Sequence, residues 1–250
     1  MTEMISIVIP LHNGEKYIKQ TVESVLAQTY KEYELIIVND HSTDASLSVA
    51  KKLAASDERI VVVDNEGEAG AAHARNEGIR LAKGRYLAYL DADDLWKAEK
   101  LEKTLRFLKS NNAAFVFTAY EFGDREAVGT GKVVHVPKTM NLKQAYSRTV
   151  IFTSTVMLDL KKIGKESAYM PYIKSEDTAS WWNLLKAGYT AYGLDENLVV
   201  YRRAGQSLSS NKIEALRRIW NLYRKIGGLN VLESAWYFCG WAVRAVARRL

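Results

Sequence analysis

Residues 5–90 alternate between β-branched apolar runs and segments of helical spacing, and few folds accommodate that pattern. Ile5–Pro10 reads as a strand buried on both faces, Glu34–Asn39 and Ile60–Asp64 as a second and third strand, and Tyr86–Leu90 as a buried fourth. Residues 16–28, 44–56 and 69–82 carry apolar positions at helical spacing between them, and Lys83-Gly84 stops the last helix. Strands and helices in this order predict an α/β fold of Rossmann-like type, with a mostly parallel central sheet flanked by helices. Chemistry in such sheets gathers at the carboxyl ends of the strands. Three strands end in polar clusters there: Pro10-Leu11-His12-Asn13, Asn39-Asp40-His41-Ser42 and Asp91-Ala92-Asp93-Asp94.

The last cluster ends a buried strand on three carboxylates. Such a group needs a neutralising partner, and Mg²⁺ or Mn²⁺ suits it, because these ions bind one or two carboxylates and then substrate phosphates. The other reading is a solvated turn with a helix N-cap. No G-x-G-x-x-G follows the first strand, and the chain has no G-x-x-x-x-G-K-[ST] loop, so phosphates need another handle. Asp40 reads either as an acceptor for a base or ribose or as turn chemistry. Glu176-Asp177 opens a helix expected at 178–187. It reads as an N-terminal cap or as a general base for an attacking hydroxyl. The four histidines lack metal-ligand spacing; His12 is expected as a pocket wall. No Gly-x-Ser-x-Gly elbow points to nucleophilic hydrolysis.

Beyond the fourth strand the pattern is less regular. A helix is expected near 97–110, strands at Ala114–Phe122 and Val128–Val136, an apolar run at Ile151–Leu158, and a short strand at Leu198–Tyr201 before a polar loop to Lys212. The 250 residues suffice for one large domain, and the single cysteine, Cys239, suits a reducing compartment. Met4–Leu11 is too short for the apolar core of a signal peptide and follows no basic segment.

The net charge of +6 is unevenly placed. Residues 1–211 hold 27 Lys/Arg and 27 Asp/Glu, whereas 212–250 hold 8 and 2, with three of the six tryptophans. In that tail Ile213, Leu216, Trp220 and Tyr223 form one stripe, Gly227-Gly228 breaks the helix, and 230–249 form a second helix with Glu233, Tyr237, Arg244 and Arg248 on its polar face. Glu233 and Arg244 interrupt the apolar run that a membrane span needs. The pattern predicts amphipathic helices on an anionic membrane surface, with packing onto the body as the alternative. The basic residues match no nucleic-acid reader, so nucleic acid is not an expected partner.

Five segments in order resemble the family 2 inverting glycosyltransferases. They are Ile5–Asn13, Val25–Tyr30, Ile36–Asp44, Ala74–Ile79 and Tyr89–Asp94, and Glu176-Asp177 and Tyr201-Arg202 extend the match. Residues 207–212 and the tail are similar to bacterial surface-polysaccharide enzymes of teichuronic-acid type. The resemblance implies a GT-A fold, a nucleotide-diphosphate sugar donor, UDP foremost, and a hydroxyl on a polyprenyl-diphosphate-linked glycan as acceptor. It implies a catalytic domain over 1–211, with a nucleotide-binding half (1–94) and an acceptor-binding half (95–211), and a tail over 212–250. By position, Pro10 and His12 would flank the base, Asp40 would bind it, and Asp91-Ala92 would meet the ribose or donor sugar. Asp93 would hold the metal, and Glu15 and Arg75 would line the donor pocket. Asp177 would be the base, with Glu176, Arg202 and Arg203 near the acceptor or diphosphate. Many relatives carry a histidine where this chain has Ala204. The expected setting is the cytoplasmic face of the cell membrane; oligomeric state stays open, a homo-oligomer included. Two other readings share the carboxylate cluster: a sugar-nucleotide pyrophosphorylase, whose basic glycine-rich loop is missing here, and an inert membrane-associated scaffold.

Overall fold

The computed structural model describes residues 3–148, 150–203 and 212–247. The first half follows the expected alternation: β1 (Ile5–Leu11), α1 (Ile18–Leu26), β2 (Tyr33–Asn39), α2 (Ser46–Ala54), β3 (Ile60–Asp64), α3 (Ala71–Leu81) and β4 (Tyr86–Tyr89). The second half holds β5 (Leu95–Trp96), α4 (Lys100–Ser110), β6 (Phe115–Gly123), β7 (Gly129–Val134), β8 (Thr139–Met140), α5 (Leu142–Tyr146), β9 (Met157–Asp159), α6 (Leu160–Ile163), α7 (Glu176–Lys186) and β10 (Ala191–Arg202).

One sheet runs β3-β2-β1-β4-β9-β6-β10-β5, with β7 beside β6 and β8 beside β10. The pairs β1–β2, β2–β3, β1–β4 and β6–β10 are parallel, and β9 is inserted antiparallel between β4 and β6. This is the GT-A fold: a mostly parallel sheet flanked by helices.

The apolar runs explain the layering. Alternate residues of β1 enter separate cores: Ile5, Ile7 and Ile9 pack with α1 and α4 residues, whereas Val8 packs with α3 and α7 residues. Helix α3 crosses β1 at Gly78, where a Cβ would collide with the Val8 side chain. A glycine is therefore required for this helix to lie so close to the strand. The closeness matters because α3 carries Arg75.

Two expectations need correction, and the apolar run 151–158 takes a definite form. The run 151–158 is a 3₁₀ turn at Thr153–Thr155 followed by the three-residue β9. The last strand begins at Ala191 rather than Leu198, with register shifts between Leu194 and Asn197 and between Asn197 and Val200. The stripe expected in the tail is also displaced. Helix α8 (Lys212–Leu222) buries Ile219 and Leu222, while Leu216 is exposed. The expected polar loop lies, from Ala204 to Asn211, outside the described residues, as does the side chain of Ile213.

The tail packs on the body. Tyr223 is fully buried, its hydroxyl donates to the Tyr146 carbonyl at 2.6 Å, and its ring stacks on Trp182 at 5.4 Å. Gly228, at φ 67°, turns the chain into α9 (Val231–Ala247). Tyr237, expected on the polar face, packs edge-on against Tyr146 at 5.0 Å. The opposite stripe of α9 is open to solvent, with Leu232 83% and Trp236 78% exposed.

Candidate active site

The register of the parallel strands brings the polar clusters together. Leu11 pairs with Asn39 and Asn39 with Asp64, so Asp40 stands just beyond β1 and β2. The Leu90 amide reaches the Val8 carbonyl at 3.1 Å, so Asp91–Asp94 leave the sheet on the same side. The loops at this edge are tightly tied. Asn13, His41 and Ser175 hold left-handed backbones (φ 48°, 53° and 63°), a strained choice for residues other than glycine.

Asp40 is buried. Its carboxylate accepts from Asn65 Nδ2 at 2.8 Å and from the Gly70 amide at 2.9 Å, while His12 Nδ1 lies 2.6 Å from its carbonyl oxygen. Gly70 is the residue ahead of α3, so Asp40 also fixes the start of that helix. Pro10 is the partly buried sixth residue of β1, beside Val38. Glu15 acts locally. Its carboxylate accepts the Ala45 amide at 2.9 Å, and Asp44 accepts the Ser46 amide at 2.9 Å, so together they cover amides at the start of α2.

The three carboxylates of the Asp91–Asp94 turn sit in different environments. Asp91 pairs with Arg75 Nη2 at 2.7 Å. Asp94 is fully buried, accepts from the Ser154 hydroxyl at 2.6 Å and the Arg202 amide at 3.1 Å, and is pushed well above the usual carboxylate range by burial and by Asp91 and Asp93. Asp93 is pushed up to about 6 by burial and the Asp91 charge. Among the described residues its carboxylate makes no ion pair. The Ala92 carbonyl accepts from Thr21 Oγ1 at 2.9 Å, which pins the turn to α1.

Arg75 joins this turn to α7. Its second nitrogen meets Glu176 at 2.6 Å, so one buried guanidinium links Asp91 to the first residue of α7. Burial opposes its charge, but Asp91, Glu176 and Asp177 outweigh that and raise its pKa. Glu176 is held above the usual range by burial, against the pull of Arg75. Asp177 follows it, with one oxygen 3.1 Å from Thr153 Oγ1 and the other 2.6 Å from the Thr178 amide.

Arg202 is committed to the frame. Its Nε donates to the Asp93 carbonyl, Nη1 to the Arg125 carbonyl and Nη2 to Gln20, at 2.6, 2.7 and 2.6 Å, and its guanidinium lies 4.8 Å from the centre of the Tyr17 ring. It therefore clamps the carboxylate turn to the β6–β7 turn, α1 and the end of β10. Arg203 is exposed and lies over Phe122 at 4.0 Å. Thr153, Ser154, Tyr17 and Gln20 carry no sequence signature of a site; the polar triplet Thr153-Ser154-Thr155 inside an apolar run was the available signal.

No group of three or more His, Cys, Asp or Glu among the described residues forms a metal cage. Mg²⁺ and Mn²⁺ do not need one, since a carboxylate and substrate phosphates suffice. Asp93, pushed up and without an ion pair, fits that requirement.

A model of glycosyl transferase family 2 matches residues 6–163. The chain is similar to the putative teichuronic acid biosynthesis glycosyltransferase TuaG of Bacillus subtilis, with 41% identity over 99% of this chain and 98% of that one. It is also similar to the Escherichia coli UDP-Glc:alpha-D-GlcNAc-diphosphoundecaprenol beta-1,3-glucosyltransferase WfaP, with 37% identity over 90% of this chain and 87% of that one. Among solved structures, Staphylococcus aureus TarS 1–349 in complex with UDP-GlcNAc superposes with TM-score 0.70 and 19% identity, covering 96% of this chain and 71% of that one. The mannosyltransferase PcManGT from Pyrobaculum calidifontis, in complex with GDP-Man and Mn²⁺, gives 0.67 and 17%, covering 97% and 74%.

Proposed function

Since the chain belongs to glycosyl transferase family 2, we propose that it is an inverting, metal-dependent transferase. It takes a sugar from a UDP-linked donor and places it on a hydroxyl of a polyprenyl-diphosphate-linked glycan. The observation that carries this reading is the Asp91–Arg75–Glu176 bridge. It supports a single cleft in which the carboxylate turn and the base helix α7 face the same substrate.

The nucleotide lies against residues 1–94, with Pro10 and His12 beside the base and Asp40 below it. Asp91 and Ala92 meet the ribose or the donor sugar, and residues 95–211 receive the acceptor. Asp177 removes the proton from the acceptor hydroxyl, and Thr153 holds that carboxylate in line. The hydroxyl oxygen bonds to the anomeric carbon as the bond to the diphosphate oxygen breaks on the opposite face, and one displacement inverts the configuration. Asp93, together with the donor phosphates, would hold Mn²⁺ or Mg²⁺, which would supply positive charge to the leaving diphosphate. Arg202 keeps Asp93 in place through its carbonyl rather than reaching the leaving group.

The open stripe of α9 favours a peripheral membrane site. Leu232, Trp236 and Val243 lie within one narrow arc of the helix, and Arg224, Lys225 and Arg244 are exposed nearby. No described helix is long and apolar enough to cross a membrane. This stripe would hold the enzyme at the cytoplasmic face of the bilayer, beside its acceptor.

The test is release of nucleoside diphosphate from a panel of nucleotide sugars, with a diphosphate-linked glycolipid acceptor, in Mn²⁺ and in EDTA. Release in Mn²⁺ alone, with an anomer inverted relative to the donor, is the expected result. No release with any donor would reject the transferase; formation of pyrophosphate when a nucleoside triphosphate and a sugar 1-phosphate are supplied instead would mark a pyrophosphorylase.

A further inference from the structure

The base helix has a second neighbour. Residues 173–174, in the turn leading to Asp177, form one wall of a groove of about 730 Å³ whose other wall is α8 and the turn after it. Four cationic side chains line it, Lys174, Arg217, Arg218 and Lys225, against one carboxylate, Glu214. Glu214 is bonded to Lys174 at 2.6 Å. That bond, with the charges of Lys174, Arg218 and Arg217, holds Glu214 below the usual carboxylate range. The groove thus keeps an excess of three positive charges, and Arg217 and Lys225 are exposed in it. None of these residues takes part in the chemistry assigned to Asp93 or Asp177.

We propose that this groove binds the diphosphate of the acceptor, so that the enzyme selects saccharides joined through diphosphate to a lipid. The inference rests on the transferase reading above. Three observations favour this occupant. The charge suits a dianionic or trianionic group, and guanidinium pairs bind phosphate oxygens through parallel hydrogen bonds. Lys174 is three residues from Asp177, so their Cα atoms are within about 11 Å, a gap that one or two sugar rings bridge between diphosphate and reacting hydroxyl. The unit that forms the groove also carries the Leu232–Trp236–Val243 stripe, and Ile173, which lines the groove, is exposed, so a lipid chain leaving the diphosphate meets apolar surface. A solvated basic helix face explains the charge but not its placement against the turn that carries the base.

The experiment compares kcat/KM for two acceptors, a monosaccharide diphospho-lipid of short chain and the same sugar on a neutral alkyl chain. The full-length wild type is expected to prefer the diphosphate acceptor. In Arg217→Ala/Lys225→Ala that preference should fall by roughly tenfold for each charge-assisted hydrogen bond removed. Lys51→Ala/Lys52→Ala, which removes equal charge from α2, should retain it. An unchanged preference in the groove variant overturns the proposal, and so does an equal loss in the α2 variant. Equal wild-type kcat/KM for the two acceptors overturns the groove and leaves the transferase standing; failure with both acceptors and every donor removes the transferase itself. Flotation on phosphatidylglycerol vesicles separates the lipid headgroup from the acceptor. Groove variants that lose flotation while keeping the acceptor preference would assign the groove to lipid instead.

Discussion

Replacing Arg75 by Met tests whether the bridge between the carboxylate turn and α7 is structural. The side chain is 7% exposed and holds two carboxylates, at 2.7 and 2.6 Å. Removing one partner of a buried pair costs about 3–5 kcal/mol, because a charge is left uncompensated. Asp91 and Glu176 side chains keep 26% and 18% exposure, so water offsets part of the loss and we expect about 3 kcal/mol. For a chain of this length that corresponds to a fall in Tm of roughly 6–12 °C. The pH dependence follows from Glu176. Its folded pKa is already raised by burial against Arg75, and losing Arg75 raises it further. An acid with a raised folded pKa contributes stability at low pH that is lost as pH rises through that value. The variant should therefore lag the wild type more at pH 7.5 than at pH 5. Adding Glu176→Gln should recover part of the deficit at pH 7.5, since it removes one unpaired carboxylate. Thermal unfolding, with urea unfolding beside it, at both pH values measures this. A Tm within 2 °C of wild type (well below the roughly 6 °C minimum expected), a deficit larger at pH 5, or no recovery in the double variant would refute the reasoning.

Asp177→Asn should leave donor binding intact, read by calorimetry in Mn²⁺, and cut transfer by roughly a hundredfold or more; normal turnover would remove its assignment as base. Asp93→Ala should abolish the Mn²⁺-dependent part of UDP-sugar binding in the same instrument, and an unchanged Mn²⁺ effect would place the metal elsewhere. Lys100 is fully buried over the Trp96 ring at 3.8 Å, and burial lowers its pKa from 10.5 to about 7. A base with a depressed folded pKa gives stability present above pH 10.5 and lost as pH falls to about 7. Lys100→Met should thus gain up to about 5 kcal/mol on wild type across that window, and parallel stability curves would show that Lys100 stays charged. Leu232→Glu/Trp236→Glu should lose flotation on anionic vesicles while keeping its melting temperature; equal flotation would reject the membrane role of α9.

The first half was legible because its central strands β1, β2 and β4 are buried almost throughout, and the edge strand β3 still keeps the apolar run Ile60–Val63. Runs such as Ile5–Pro10 and Ile36–Val38 have no use outside a covered sheet, and the helices between them follow from spacing. In the second half α4, β6, β7 and α7 fall where expected, but the other strands are locally weak. β9 has three residues and is held by neighbours on both sides, and β10 contains Asp195-Glu196 where its register slips, which hid its first half. In the tail, aromatic contacts decided which face turned inward: Tyr237 reads as polar by composition but has Tyr146 to pack on. At the site, Asp40, Asp91, Asp93 and Asp177 stood out as carboxylates at element ends. The side chains that orient them, Arg75, Thr153, Ser154 and Arg202, act across separations that no local pattern encodes.

Those orienting contacts divide the labour among three adjacent carboxylates. Asp94, driven toward its neutral form, ties the turn to Ser154 and β10, and Asp91 is matched by Arg75. Asp93 is left without an ion pair beside a like charge. Even with Asp94 neutral, the four carboxylates Asp91, Asp93, Glu176 and Asp177 have, among the described residues, Arg75 and Arg202 as their neighbouring cations, an excess of two negative charges. A nucleotide diphosphate entering such a site adds more of the same sign, and like charges this close repel strongly in a partly buried cleft. Donor binding is then favourable only if positive charge arrives with it. Asp93, which has no ion pair among the described residues, would hold a divalent cation that supplies this charge, and with so few protein ligands the affinity of that ion should depend on the donor.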